Sequence, residues 1–331
     1  MSSKFWALIL FAIAQTNAIE HHSNLSYSQQ RIRILPELNI QPQEPLPQII
    51  FLHIPKTAGT NVDNMAQAVN GKEHYLRLTV PRTSRSPVHI VDGWIGGWER
   101  LAIDPHLLDH VSDAIFLTGH FPYGLHQYLS PSTKYVTLVR HPLARELSTA
   151  NFAYQRGYMQ AGEFASYLEQ AIDNPQVRLI AGKDAMTGPC TEETFHLAIQ
   201  HIENDFLLAA PSEEIDSFLQ LLATIQHWGP LAYAPMQITK EKIADSLDPK
   251  LEETLLQKHA WDVRLYKWVK QRWESYKQKI ILGIKTYPLD QPILTLMPEH
   301  LSSQAPQWLK ASEIKAHNTV HSEQDTLELT Q

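Results

Sequence analysis

The sequence predicts an α/β domain built around a mainly parallel sheet, and three observations lead to that class. Apolar runs at 49–54, 133–139 and 205–210 lack the alternation of a half-solvated strand, so each suits a strand buried on both faces. Two of the runs stop near a proline, Pro55 or Pro142, and a helix-like stretch follows each. The composition is globular, with 43% apolar and 19% charged residues over 331 positions. That length suits one large α/β domain with tails, or about two domains.

Residues 1–18, MSSKFWALILFAIAQTNA, place Lys4 before an apolar run and small residues after it, the order of a secretory signal peptide. An apolar N-terminal helix packed on the domain is the alternative. The run is shorter than the roughly 20 residues that span a bilayer, so membrane association is expected only through this segment if it stays uncleaved. The expected location is the secretory or export pathway, exported or in a Golgi-type lumen or membrane; without a signal it is the cytoplasm. Residues 19–47 are polar and proline-spotted and read as a linker or stem, with a glycosylation sequon at Asn24-Leu25-Ser26. Residues 48–285 form the expected domain, and 286–331 read as a loosely ordered tail.

The 28 Lys+Arg against 35 Asp+Glu give a net charge of −7, which argues against a nucleic-acid partner but leaves room for a local anion pocket. The single cysteine, Cys190, excludes an intrachain disulfide and a cysteine-based zinc site. Among the 17 histidines, His106 and His110 are four apart, but no H-E-x-x-H occurs and no metal is expected.

After the first strand comes Lys56-Thr57-Ala58-Gly59-Thr60, then a helix-like stretch ending at Gly71. Strand, tight loop and helix aim backbone N–H groups and a positive helix end at a phosphate. Ala58 and Gly59 are small enough for close approach, Lys56 adds a charge, and the Thr57 and Thr60 hydroxyls can donate. The Walker A spacing is absent, because the lysine precedes the glycine; this disfavours an ATP- or GTP-hydrolysing loop. An ordinary βα turn is the other reading of the loop alone.

The string FLHIPKTAGT resembles the 5′-phosphosulfate loop of carbohydrate sulfotransferases, closest to the heparan sulfate 2-O- and 6-O-sulfotransferase group and its bacterial relatives. The resemblance implies a three-layer sandwich with a P-loop-like phosphosulfate-binding loop. It also implies 3′-phosphoadenosine 5′-phosphosulfate (PAPS) as co-substrate, without a metal. A second segment agrees: Arg140 ends the strand at 133–139, Pro142 opens a helix, and Arg145 and Ser148 follow. In the family the matching R-x-P-x-x-R-x-x-S segment holds the donor's 3′-phosphate, which implies that role for Arg140 and Ser148. A strand-end Arg and a hydroxyl in the helix's first turn would converge on one anion. His141 stands where relatives commonly have an acidic residue. Arg145 is either a salt-bridging helix residue or a second phosphate ligand.

Residues 114–120 read as a third strand, ending in His120. The continuation FPYGLH is similar to relatives in which this His takes the acceptor's hydroxyl proton, whereas a hydrogen-bonded structural histidine is the bland alternative. Lys56 would steady charge on the bridging oxygen. His53 reads as support for the loop. His126 either lines the acceptor cleft or lies on the surface.

Acceptor specificity is expected in 71–113, where Arg77, Arg82 and Arg85 can meet an acidic acceptor or solvent, and Trp94 and Trp98 can stack on a sugar or pack. Arg178, in a segment that resembles one of the family's, is a candidate contact to substrate or donor. A stripe of Trp261, Leu265, Trp268, Val269 and Trp273 reads as a packed C-terminal helix or, less simply, as a surface for an anionic polysaccharide or membrane. The combined expectation is O-sulfation of a carbohydrate, acidic glycans included. The rivals are a P-loop-like phosphoryl transferase (kinase) and an exported, inactive carbohydrate-binding protein.

Overall fold

Five strands line up as one sheet in which every neighbouring pair runs parallel. The computed structural model describes residues 32–36, 38, 46–78, 90–91, 102–103, 111, 113–234, 242–283, 292–296, 307–310, 312–314 and 318. In chain order its elements are β1 (Arg33–Leu35), β2 (Ile49–Leu52), α1 (Gly59–His74), β3 (Tyr75–Leu78), β4 (Ile90–Val91), β5 (Ala102–Ile103), β6 (Phe116–Gly119), β7 (Lys134–Val139) and α2 (Pro142–Gln155). There follow α3 (Phe164–Gln170), α4 (Pro175–Ala181), α5 (Glu192–Asp205), β8 (Phe206–Pro211), α6 (Ile215–Ile225), β9 (Leu231–Tyr233), α7 (Pro249–Lys258), α8 (Ala260–Gly283), β10 (Pro292–Leu296) and β11 (Gln307–Lys310).

The sheet order is β3-β6-β2-β7-β8. Continuous apolar strands demand cover on both faces, and both faces are covered. Ile49, Phe51, Phe116, Val136 and Leu138 cluster with Val62 and Met65 of α1 and with Phe218 and Leu222 of α6. Ile50, Leu52, Leu117 and Val139 cluster with Val177 of α4, Ala198 of α5, and Leu265 and Val269 of α8. Each such large side chain, fully buried, contributes about 1.5–3 kcal/mol. The result is the three-layer α/β sandwich that the apolar runs predict. The α8 stripe packs, as the simpler reading has it, since Leu265, Val269 and Trp273 are wholly buried.

A second sheet, ordered β1-β9-β10-β11, borders the first. Its strands come partly from segments read as stem and tail, and this corrects both readings. β1 pairs antiparallel with β9, β9 runs parallel to β10, and β10 pairs antiparallel with β11. Arg33 forms an ion pair with Asp216, and the Tyr233 hydroxyl donates to the same carboxylate at 2.5 Å. Asn318 holds both the N–H and the C=O of Ile32. Short strands, of which β1 is closed by a partner some two hundred residues away, leave no local periodicity to detect. Residues 1–31 lie outside the described residues, as do Arg82, Arg85, Trp94, Trp98, His106 and His110.

Strand order places β2 between β6 and β7. The chain leaves β2 toward β3 on one side and later resumes at β7 on the other. In open α/β sheets the crevice beyond the carboxyl ends at such a switch point is where ligands bind. The Lys56 loop and Arg140 follow β2 and β7, so both stand at that crevice.

Candidate active site

The loop after β2 is backbone-strained and internally braced. Lys56 and Ala58 adopt φ of 70° and 67°, a left-handed conformation that non-glycine residues rarely take. The Thr57 hydroxyl is buried and donates to the Ile54 carbonyl at 2.8 Å, so it shapes the loop and is not free to donate to an anion. That corrects its assignment as a side-chain ligand. α1 starts at Gly59 without a side-chain cap, leaving first-turn N–H donors for another partner. The Thr60 hydroxyl makes no hydrogen bond among the described residues.

Gly59 serves a different purpose from close approach to a ligand. A Cβ there would lie 2.3 Å from the His53 ring. That ring is fixed by Phe51, stacked at 5.1 Å, and by Asp63, whose Oδ2 accepts from Nδ1 at 2.9 Å. Gly59→Ala is therefore expected to destabilise the chain by about 1–3 kcal/mol. A urea midpoint unchanged from wild type would show that the His53 ring yields freely.

Lys56 extends over the Phe152 ring of α2, 4.1 Å from its centroid. Burial, then the nearby guanidiniums of Arg140 and Arg156, lower its ammonium to about 8. Among the described residues neither Lys56 nor Arg140 has a carboxylate within ion-pair distance. Arg140 Nη1 donates to the Lys56 carbonyl at 3.1 Å, joining the two anion-binding elements. The Arg140 backbone is held by the Gln176 amide, which accepts from its N–H and donates to its C=O, both at 2.8 Å. Crowded cations, with Glu213 acting on Arg140 only from beyond ion-pair distance and an uncapped helix start nearby, fit a polyanionic ligand such as PAPS.

His120 follows β6 on the other side of β2. Its Nδ1 lies 2.6 Å from the His53 carbonyl oxygen. A carbonyl can only accept, so Nδ1 carries the proton and Nε2 keeps its lone pair. Burial, then neighbouring His53, depresses the imidazole to about 4, which keeps it neutral at ordinary pH. The His53 and His120 ring centroids are 4.4 Å apart, which ties His120 to the strand leading into the Lys56 loop.

Other expected residues stand elsewhere. Arg178 is buried and fully engaged: Nε donates to Asp173 O, Nη1 to Ala185 O, and Nη2 to Asp173 Oδ1 and Gly188 O. This corrects its assignment to substrate, because the buried guanidinium spends four of its five N–H donors on structural partners. His126 sits between the hydroxyls of Tyr135, 3.1 Å from Nδ1, and Tyr123, 3.5 Å from Nε2. Tyr135 is the second residue of β7 and precedes Arg140 by five positions, roughly 16 Å along an extended strand. His126 is thereby held toward the end of β7 away from the crevice. Arg145 turns inward as the ion-pair partner of Glu146, and so takes the salt-bridging alternative. Ser148 is half-buried, without a hydrogen bond among the described residues, but it lies in the second turn of α2 rather than the first.

Three residues at the site escape sequence reasoning. Asp63 accepts from His53 and, at 2.5 Å, from Thr118; burial opposes its ionisation, but these bonds hold its carboxyl below the ordinary range. A carboxylate amid the apolar Val62, Met65 and Ala66 is the one signal available for it. Gln176 and Phe152 carry no signal, because glutamine and phenylalanine are unremarkable in helices.

This assembly is a three-layer α/β sandwich with a strained loop and two cationic side chains at the carboxyl ends of β2 and β7. Residues 38–176 match the sulfotransferase family, a segment holding the loop, His120, Arg140 and Ser148. The match, under half of the chain, supports a sulfotransferase family and sulfuryl transfer as the class of reaction. No curated protein matches the chain.

Proposed function

We propose that the protein is a PAPS-dependent O-sulfotransferase acting on a carbohydrate hydroxyl. The observation that carries the reading is the bond joining Arg140 to the Lys56 loop at the β2–β7 crevice, two cations without ion-pair partners among the described residues, with His120 following the adjacent strand β6. Lys56, the N–H groups of Ala58, Gly59 and Thr60, Arg140 and Ser148 are the groups that would hold the donor. The donor supplies a sulfuryl group whose bond to a phosphate oxygen breaks as the acceptor oxygen bonds to sulfur. His120 Nε2 takes the acceptor's hydroxyl proton, making a poor nucleophile a competent one. The His53 carbonyl fixes the tautomer, and Asp63 fixes His53. Lys56 faces the negative charge that develops on the departing phosphate.

The carbohydrate acceptor rests on the likeness of FLHIPKTAGT to carbohydrate sulfotransferases. The leader-like segment 1–18 supports work in the secretory or export pathway. The test is transfer of radiolabelled sulfate from PAPS to a panel of neutral and acidic glycans. Labelled glycan is expected; tighter binding of ATP than of adenosine 3′,5′-bisphosphate would favour the kinase reading instead.

The same groups set the pH profile. Lys56 must be charged, so kcat/KM is expected to fall as pH rises through about 8. His120 must be neutral, so the acid limb is expected near 4, below histidine's ordinary 6.5. A rate undiminished well above pH 8 would remove the Lys56 charge from the mechanism.

A further inference from the structure

We propose that Gln176 is a positioning residue for recognition of the donor's 3′-phosphate, aiming Arg140 and itself held by Asp262 of α8. The inference rests on the sulfotransferase reading and adds to it the device that orients the phosphate-binding arginine.

Arg140 is the first residue beyond β7, and strand β8 ends its pairing at Val139. Its main chain therefore needs other partners. Gln176 supplies both: its amide oxygen accepts the Arg140 N–H and its amide nitrogen donates to the Arg140 C=O. The Gln176 side chain is wholly buried. Two parallel bonds to one residue set the direction in which that residue leaves the strand, and hence where its guanidinium starts. Only an uncharged amide of this length provides a donor and an acceptor together. Glutamate cannot donate to the carbonyl, and asparagine is one methylene short.

Gln176 is itself tied from behind. The N–H groups of Gln176 and Val177 donate to the Asp262 carboxylate at 3.2 and 2.8 Å, capping the start of α4. In return, Asn174 Oδ1 accepts from the N–H groups of Trp261 and Asp262 at 2.9 and 3.1 Å, capping the start of α8. Each helix is thus capped by a residue belonging to the other's first turn or lead-in. α8 lies beyond the segment that matches the sulfotransferase family, yet it is bonded to the residue that orients Arg140.

The test is calorimetric binding of adenosine 3′,5′-bisphosphate and adenosine 5′-phosphate to the full chain. The wild type is expected to prefer the bisphosphate. In Gln176→Met that preference is expected to fall by roughly tenfold or more, with affinity for the monophosphate within about threefold of wild type. Adding Gln176→Met to Arg140→Ala is expected to change the preference by less than about twofold, because both act through one group. A general structural role would weaken both ligands alike, and that result overturns the inference. So does a preference left intact in Gln176→Met, or full additivity in the double variant. If circular dichroism shows Gln176→Met unfolded, Gln176→Glu takes its place with the same expected loss. A wild type without preference overturns the donor reading itself, and the inference with it.

Discussion

His120→Ala is expected to lower kcat for sulfuryl transfer by roughly 10²–10⁴-fold while binding of adenosine 3′,5′-bisphosphate stays near wild type. The separation follows from the geometry. The proposed donor ligands follow β2 and β7, whereas His120 follows β6 on the other side of β2. Its hydrogen bond to the loop is made by Nδ1 to the His53 carbonyl, which leaves the Nε2 lone pair for the proposed proton transfer. His120→Asn is the sharper variant, because its amide N–H can keep a contact to His53 without offering a base. Kinetics and calorimetry on the same preparations decide the matter. Equal loss of donor affinity in both variants would make His120 a structural residue.

This division of labour also explains why a buried histidine is useful here. At about 4 in the free protein, His120 is a weaker base than an unperturbed imidazole. Burial disfavours its charged form, and in the proposed reaction a polyanion bound at the crevice would favour it, so the base would strengthen as the donor arrives. The proton-accepting state would then be coupled to occupancy of the Lys56 and Arg140 site.

The parts of this architecture written in local sequence were legible, and those made by distant pairing were not. Apolar runs with stopping residues located β2, β6, β7 and β8 within about two residues, a margin usual for element ends. The helix starting at Pro142 and the α8 stripe were equally plain, because one proline and a 3.6-residue period carry them. The apolar runs put Lys56, His120 and Arg140 at strand ends, which share one edge in a parallel sheet, but their proposed roles come from the likeness of their segments to carbohydrate sulfotransferases. By contrast, Arg178 looked like a cation waiting for substrate until its carbonyl partners, supplied by the turns after α4, were visible. Thr57 looked like a phosphate donor until the loop folded its hydroxyl back on Ile54. Polar side chains advertise chemistry in a sequence, and the fold decides whether the backbone has already claimed them. β1, β10 and β11 were hidden for a related reason: set in polar, proline-spotted segments, they are specified by the strands they pair with and not by a pattern of their own.

Lys56 is where that lesson bears hardest on function, because its surroundings are unfavourable to its charge. It is partly buried, near Arg140 and Arg156, and rests on Phe152 rather than on a carboxylate. The ring face returns only about 0.5–2 kcal/mol of attraction. An ammonium held under such conditions, in a loop strained at φ of 70°, implies that its natural counter-charge arrives with the ligand. Lys56→Met keeps the stem over Phe152 and removes only the charge. It is expected to reduce kcat by about 10²–10³-fold, the magnitude of losing one preorganised donor at a developing anion. Stability should hold or rise slightly, since an uncompensated charge leaves the loop. Lys56→Arg should recover part of the rate and lose the alkaline limb near 8, because guanidinium stays protonated there. Single-turnover transfer over a pH series, with urea midpoints on the same variants, measures all three effects. Near-normal turnover in Lys56→Met would remove the lysine from the chemistry and leave it a binding residue at most.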